Sequence, residues 1–235
     1  MFYFRDGTRR GKSNLIKAIV FDFDGLIVDT ESVWFEVLKD VMVEYGCDLT
    51  IKDFAVCIGT TDDVLYERLA QIALKPIDRT EISRKTHERY QRKMSQLELR
   101  EGVSDYLHAA KELGLKIGLA SSSSRRWVEG FLEKFEIREF FQVIKTSDDV
   151  KRVKPDPELY LRAIQDLGVE AYEALAFEDS KNGLTAAIKA GLHCVIVPNR
   201  VTNLLDFSGH LHRLSSMTEI QLQDLLSLVE AKLVK

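Results

Sequence analysis

The sequence has little cysteine, no long apolar run and no marked excess of one charge. Three cysteines among 235 residues, Cys47, Cys57 and Cys194, are an odd number without a CxxC pair. That excludes a disulfide framework and offers no thiolate set for zinc, so the expected compartment is a reducing one, the cytoplasm. No apolar stretch approaches the roughly 20 residues that span a bilayer. Residues 1–14 are too polar for the apolar part of a signal peptide, and no membrane partner is expected. The formal net charge is −4 with both signs interspersed, which lacks the basic face of a nucleic-acid binder. Apolar residues make up 45% of the chain, enough for a substantial core and against disorder. Metal ions and small anionic ligands remain open as partners.

Residues 1–14 (MFYFRDGTRRGKSN) differ in composition from the rest of the chain and read as an N-terminal extension. Their Gly7-Thr8-Arg9-Arg10-Gly11-Lys12-Ser13 is one residue short of a Walker A loop and follows no strand, so it reads as chance similarity. The apolar run Leu15–Phe21 predicts a strand buried on both faces of a parallel sheet. From about residue 32 to 97, apolar residues recur at three- and four-residue steps, as in Val33, Val37 and Val41 or Leu65, Leu69 and Ile72. That segment predicts helices without strands. After Gly102, short apolar runs alternate with helical segments. Strands are predicted at Leu115–Ala120, Phe141–Ile144, Ala174–Phe177 and Cys194–Val197. Helices are predicted at Tyr106–Leu113, at about Arg126–Phe135 and at about Gly183–Ala190. A further helix is capped by Asp156, holds Pro157 in its first turn and ends at Gly168. Ser216–Lys235 reads as a final surface helix. The pattern predicts an α/β protein: a doubly wound, mostly parallel (Rossmann-like) sheet over residues 15–31 and 98–235, with an α-helical cap domain inserted at 32–97.

Asp22 and Asp24 follow the first strand directly, at the carboxyl edge where open α/β sheets bind ligands. Two such carboxylates repel unless a cation or a proton relieves them, and a divalent metal does so most simply. Three more clusters follow apolar strands: Ser121 to Ser124, Lys154 within Lys-Pro-Asp-Pro, and Glu178-Asp179-Ser180. Each has a plain structural role when taken alone. Serines cap helices, a lysine sits in a solvated loop, and acids complement a helix dipole. Together they compose what phosphoryl transfer requires: charge neutralisation, positioning and a metal.

The pattern Asp22-x-Asp24-Gly25-x-x-x-Asp29-Thr30, then Ser121, Lys154-Pro155 and Glu178-Asp179-Ser180, resembles the four motifs of the haloacid dehalogenase superfamily. Segment 32–97 is similar to that family's small α-helical cap, so the resemblance covers nearly all of residues 15–235. It is similar in pattern to the capped sugar-phosphate phosphatases, phosphoglycolate phosphatase and β-phosphoglucomutase. The resemblance implies a Mg²⁺-dependent phosphatase acting on a small phosphorylated metabolite, a sugar phosphate or similar phosphomonoester, through an aspartyl-phosphate. Asp22 would be the nucleophile. Asp24 would be the general acid and base, giving the metal only its backbone carbonyl. Ser121, with the amide of Ser122, would hold the phosphoryl group, Lys154 would offset its charge, and Asp179 with Glu178 would complete an oxygen shell for Mg²⁺.

Two departures bear on the substrate. β-Phosphoglucomutase has a histidine four residues after the threonine and a phosphate-gripping arginine on its cap, where this sequence has Trp34 and Asp62. An acid there repels a second phosphate, which favours hydrolysis over the alternative phosphomutase reaction. Trp34 either stacks on substrate or joins the core, and Thr30, Thr60 and Thr61 are further candidates for substrate contact. A signalling receiver, from another functional class, shares the aspartate, metal, hydroxyl and lysine but lacks the second aspartate and the insertion. His210 and His212 have no third ligand nearby and read as a solvated loop. Arg125 and Arg126 read as helix surface, and the charged stretch Thr80–Arg100, with Arg89 and Lys93, as the wet face of a cap helix. Nothing in the sequence indicates the oligomeric state.

Overall fold

A computed structural model describes residues 15–55, 57–58, 62–94 and 96–234. The extension 1–14 and the candidates Thr60 and Thr61 lie outside the described residues. Strand β1 (Ala18–Phe21) is fully buried and occupies the interior of a six-stranded sheet. The others are β2 (Lys116–Ala120), β3 (Val143–Lys145), β4 (Ala174–Glu178), β5 (His193–Ile196) and β6 (His212–Arg213). Their order is β3-β2-β1-β4-β5-β6, and every pairing is parallel. The winding reverses direction at β1, so the crevice between β1 and β4 is the topological switch point.

Alternation along each strand sorts the side chains into two cores. Ile19, Phe21, Ile117, Leu119, Leu175 and Phe177 face helices α5 (Val103–Glu112), α6 (Arg125–Lys134) and α9 (Leu222–Leu233). Ala18, Val20, Ala120, Ala174 and Ala176 face α7 (Glu158–Leu167) and α8 (Lys181–Lys189). The second set is small, which lets α7 and α8 approach the sheet closely. Glu178, two residues beyond Ala176, therefore points its side chain to the α7/α8 side.

Between β1 and β2 lie α1 (Thr30–Met42), α2 (Ile51–Ala55), α3 (Asp62–Ile72) and α4 (Arg79–Met94). They bury an apolar cluster of their own, including Phe35, Leu38, Met42, Phe54, Leu69 and Ile82. Asp29 starts α1 by accepting a hydrogen bond from the Ser32 amide at 3.0 Å. The two linkers joining this helical insert to the sheet are bonded to each other: Val28 bridges Leu99, and the Arg100 amide donates to the Ile27 carbonyl at 2.9 Å. None of the helices, among the described residues, is long and apolar enough to cross a membrane.

Some elements differ from the sequence reading. The final helix starts at Leu222 rather than Ser216 and lies on the surface with one face inward: Leu222, Leu225, Leu226 and Val229 recur at i, i+3, i+4 and i+7 and are buried in the larger core, while Gln223, Asp224, Ser227 and Lys232 are exposed. His212 belongs to the short edge strand β6 rather than to a loop. The third strand starts at Val143, because a 3₁₀ turn at Arg138–Phe140 leads into it and Phe140 and Phe141 fill the core. Pro157 precedes the first turn of α7, and Asp156 accepts from the Glu158 amide at 3.1 Å. Truncating the core face of α9 is expected to cost what a core cavity costs. Leu225→Ala should lower unfolding free energy by about 2–5 kcal/mol, read from the urea midpoint, and an unchanged midpoint would refute the packing of this face against the core.

Candidate active site

Loops following β1, β2, β3 and β4 converge at the carboxyl edge of the sheet, and the first chemistry-bearing group there is a buried ion triad. The Lys154 ammonium donates to Asp22 Oδ1 and, at 2.7 Å, to Glu178 Oε1. The Tyr160 hydroxyl on α7 donates to the same Glu178 oxygen at 2.6 Å, and Ser180 Oγ donates to the other at 3.3 Å. Burial, then repulsion from Glu178, pushes the Asp22 carboxyl up to about 8, with Lys154 opposing the rise. Burial works against the Lys154 charge too, yet attraction to Asp22 and Glu178 holds its pKa above that of an ordinary lysine. Close backbone approach makes room for the carboxylate: a Cβ on Gly183 of α8 would lie 1.9 Å from it.

Asp179, the next residue, turns toward the β1 loop. Its Oδ2 accepts from Asn199 Nδ2 at 2.8 Å, while its Oδ1 is buried without any hydrogen-bond partner. Asn199 is itself fixed, its Oδ1 accepting from the amides of Val201 and Thr202, both at 2.9 Å. Gly25 has φ +83°, and a Cβ there would sit 2.2 Å from Asp179 Oδ2, so only glycine serves this turn. Arg100 holds the same turn from behind, its guanidinium donating to the carbonyls of Gly25, Val197 and Pro198. Burial, then the charges of Asp22 and Glu178, raises the Asp179 pKa well above the usual carboxylate range.

Asp22, Glu178 and Asp179 each present an oxygen within 4.8 Å of the others, and all three are buried. One lysine cannot neutralise three acids. An all-oxygen donor set with an orphaned carboxylate oxygen fits a hard divalent cation such as Mg²⁺.

Asp24 stands apart from that cluster. Its Oδ2 accepts from Ser123 Oγ at 2.6 Å and its Oδ1 from the Trp127 indole N–H at 2.9 Å. Ser121 Oγ lies 3.4 Å from Oδ2 and accepts from the Ser123 amide at 3.0 Å. The serine run therefore divides its tasks. Ser121 and Ser123 surround Asp24, exposed Ser122 faces the cavity, and Ser124 caps α6 by accepting from the Trp127 amide at 3.4 Å.

These groups form the floor of a cavity of about 510 Å³, and the insert supplies its remaining wall with Thr30, Glu31, Trp34, Ile58 and Tyr90. Trp34 meets Tyr90 edge to face at 5.0 Å, and Tyr90 lies nearly parallel to Trp127 at 6.4 Å. Trp34 lines the cavity while packing on the insert's own core.

A family model described as haloacid dehalogenase-like hydrolase matches residues 19–197. The chain belongs to the haloacid dehalogenase-like hydrolases. It is 48% identical over 213 residues to Bacillus subtilis YhcW, whose name provisionally marks it a phosphatase, covering 90% of this chain and 97% of the relative. A Thermotoga maritima protein named phosphorylated carbohydrates phosphatase is 34% identical over 180 residues, covering 75% of this chain and 82% of its own length. The crystal structure of CbbY from Rhodobacter sphaeroides in complex with phosphate is similar with a TM-score of 0.66 and 31% identity, covering 87% of this chain and 96% of CbbY. As a haloacid dehalogenase-like hydrolase with phosphatase-named relatives, the chain is a phosphoric monoester hydrolase.

The haloacid dehalogenase-like site brings Asp22, Lys154, Glu178 and Asp179 into one group, and Asp24 with Ser121 into another. Other charged candidates are engaged elsewhere. Arg125 pairs with Glu129 and Asp149, Arg89 with Glu44, and Lys93 with Asp40. From the charged helix it is Tyr90, the one phenol or indole in Thr80–Arg100, that reaches the cavity. Sequence reasoning missed Tyr160, Asn199, Arg100, Glu31 and Trp127. Of these only Glu31 carried a signal, standing three residues before Trp34 on the same helix face. Alanine in place of glycine ordinarily strengthens a helix by about 1 kcal/mol. Gly183→Ala should instead destabilise this protein by about 1–3 kcal/mol, since its methyl invades the Glu178 carboxylate. A urea midpoint above that of the wild type would refute the close approach.

Proposed function

We propose that the chain hydrolyses small phosphorylated carbohydrates with Asp22 as nucleophile and Asp24 as general acid and base. One observation carries the reading: two carboxylates two residues apart are held by separate partners, Asp22 by Lys154 and Asp24 by Ser123 and Trp127. Separate surroundings suit separate tasks. An Asp22 oxygen attacks phosphorus, the bond from phosphorus to the substrate oxygen breaks, and Asp24 gives its proton to the leaving alkoxide. Water then attacks the aspartyl-phosphate, Asp24 takes its proton, and inorganic phosphate leaves with Asp22 regenerated. Ser121 and the Ser122 amide hold the phosphoryl oxygens, and Lys154 acts as a point charge beside them.

Asp22, Asp179, Glu178 and the Asp24 carbonyl would hold Mg²⁺. When bound it supplies positive charge against the phosphoryl oxygens and the acid cluster. The helical insert serves as the cap that screens the site from water. The carbohydrate class draws support from the name of the Thermotoga maritima relative.

Phosphate release from a panel of phosphomonoesters, with Mg²⁺ and with excess chelator, tests the reading. Turnover should require the metal and fall to background in Asp22→Asn, and a fully active Asp22→Asn protein would end the assignment. A hexose 6-phosphate formed from a hexose 1-phosphate, in place of inorganic phosphate, would assign the mutase reaction. Asp24→Asn should lower kcat by about 10²–10⁴-fold on an alkyl phosphate. On p-nitrophenyl phosphate, whose leaving group needs no proton, the loss should be markedly smaller. Equal losses would remove Asp24 from the proton-transfer role.

A further inference from the structure

The wall that the insert contributes to the cavity holds two polar groups that the hydrolytic scheme does not use. Thr30 Oγ1 is buried and has no hydrogen-bond partner. The neighbouring Glu31 carboxyl lines the same cavity, and among the described residues no donor or cation reaches it. Burial first, then the charges of Asp24 and Asp29, push it up to about 7. Starting α1 does not require this acid, because Asp29 already caps the helix. A half-buried carboxylate with only repulsive neighbours lacks a donor.

Around these groups the wall is aromatic. Trp34 follows Glu31 by three residues on one helix face, Tyr90 crosses it edge to face, and Trp127 continues the surface at an interplanar angle of 12° to Tyr90. Aromatic faces suit the C–H faces of a sugar or polyol, and the hydroxyls of such a molecule are the donors that a carboxylate lacks. Cations lining the cavity, among the described residues, are Lys154, committed to Asp22 and Glu178, and exposed Lys181, the first residue of α8. None lies on the insert.

We propose that Thr30 and Glu31 form the leaving-group subsite, where the Glu31 carboxylate accepts hydrogen bonds from hydroxyls of an uncharged sugar or polyol and repels leaving groups that carry a second phosphate or a carboxylate. The subsite rests on the phosphatase reading and deepens it, naming which half of the substrate is read and by which residues.

Steady-state kinetics of wild type, Glu31→Ala and Glu31→Gln on a hexitol phosphate, a hexose bisphosphate and phenyl phosphate test it. Wild type should prefer the monophosphate to the bisphosphate. Glu31→Ala should lose about 10- to 100-fold in kcat/KM on the hexitol phosphate, chiefly through KM, as expected for a lost hydrogen bond to a charged group. On phenyl phosphate, whose leaving group has no further hydroxyl, the loss should be at least about tenfold smaller. Glu31→Gln, isosteric and uncharged, should narrow the preference against the bisphosphate while keeping the wild-type thermal midpoint. Equal losses on hexitol and phenyl phosphates, or a wild-type preference for the bisphosphate, would overturn the subsite and leave the phosphatase reading standing. Wild-type silence toward all three substrates would instead remove the phosphatase reading and the subsite with it.

Discussion

The Lys154 ammonium, wedged between Asp22 and Glu178, is the interaction on which the rest of the site depends. Two unit charges about 5 Å apart at an effective dielectric near 20 repel by roughly 3 kcal/mol, and three buried acids lie within 4.8 Å of one another. One lysine can relieve two of them. Asp179 is left with a single amide donor and one bare oxygen, which makes the cluster short of positive charge as the polypeptide alone builds it. Glycine at positions 25 and 183 follows from the same crowding, because any side chain there would occupy the space of a carboxylate.

Sheet topology explains how such a cluster forms without long connections. The β1 and β4 strands are neighbours at the switch point, so the residues after each of them meet in the crevice between their carboxyl ends. Strand alternation then separates the acids. Glu178 continues the α7/α8 face, where Tyr160 and Lys154 wait for it, whereas Asp179 leaves the strand and turns to Asn199 and the Gly25 loop. Small side chains on that face of the sheet are what allow α8 to come close enough for Gly183 to touch the carboxylate.

Groups at strand ends were legible in the sequence because an apolar run fixes where its carboxyl end falls, and parallel winding brings all such ends to one edge. That logic found Asp22, Asp24, Ser121, Lys154, Glu178 and Asp179 as neighbours. It could not find their supports. Tyr160 looks like any core aromatic within α7, Asn199 stands in a loop with no local pattern, and Arg100 belongs to a stretch whose charges are mostly solvated. Their contacts with the site are to residues 18 or more positions away, as in Tyr160 with Glu178 or Arg100 with Gly25. What the final helix packs against is hidden for a related reason: its stripe of four apolar residues is plain, but the sheet face it covers is assembled only when distant strands pair.

The same long-range bonding ties the insert to the chemistry. Asp24 and Val28 close a short turn through the Gly25 amide and the Val28 carbonyl at 2.7 Å, and Val28 in turn bridges Leu99 on the returning linker. Arg100, the residue after Leu99, holds the Gly25 carbonyl together with two carbonyls beyond β5. On the far side of Asp24, Trp127 donates to its carboxylate and lies against Tyr90 of the insert. Asp24 is therefore held by Ser123 within the sheet domain and linked on two sides to the helical insert. The Asp22 carboxylate is held differently, through Lys154 and from there through Glu178 and Tyr160, all of which belong to the sheet domain. Both carboxylates are thus held by donors of the sheet domain, but the supports of Asp24 continue into the insert, Trp127 through Tyr90 and the Gly25 turn through Val28 and Leu99, whereas those of Asp22 stay within the sheet domain.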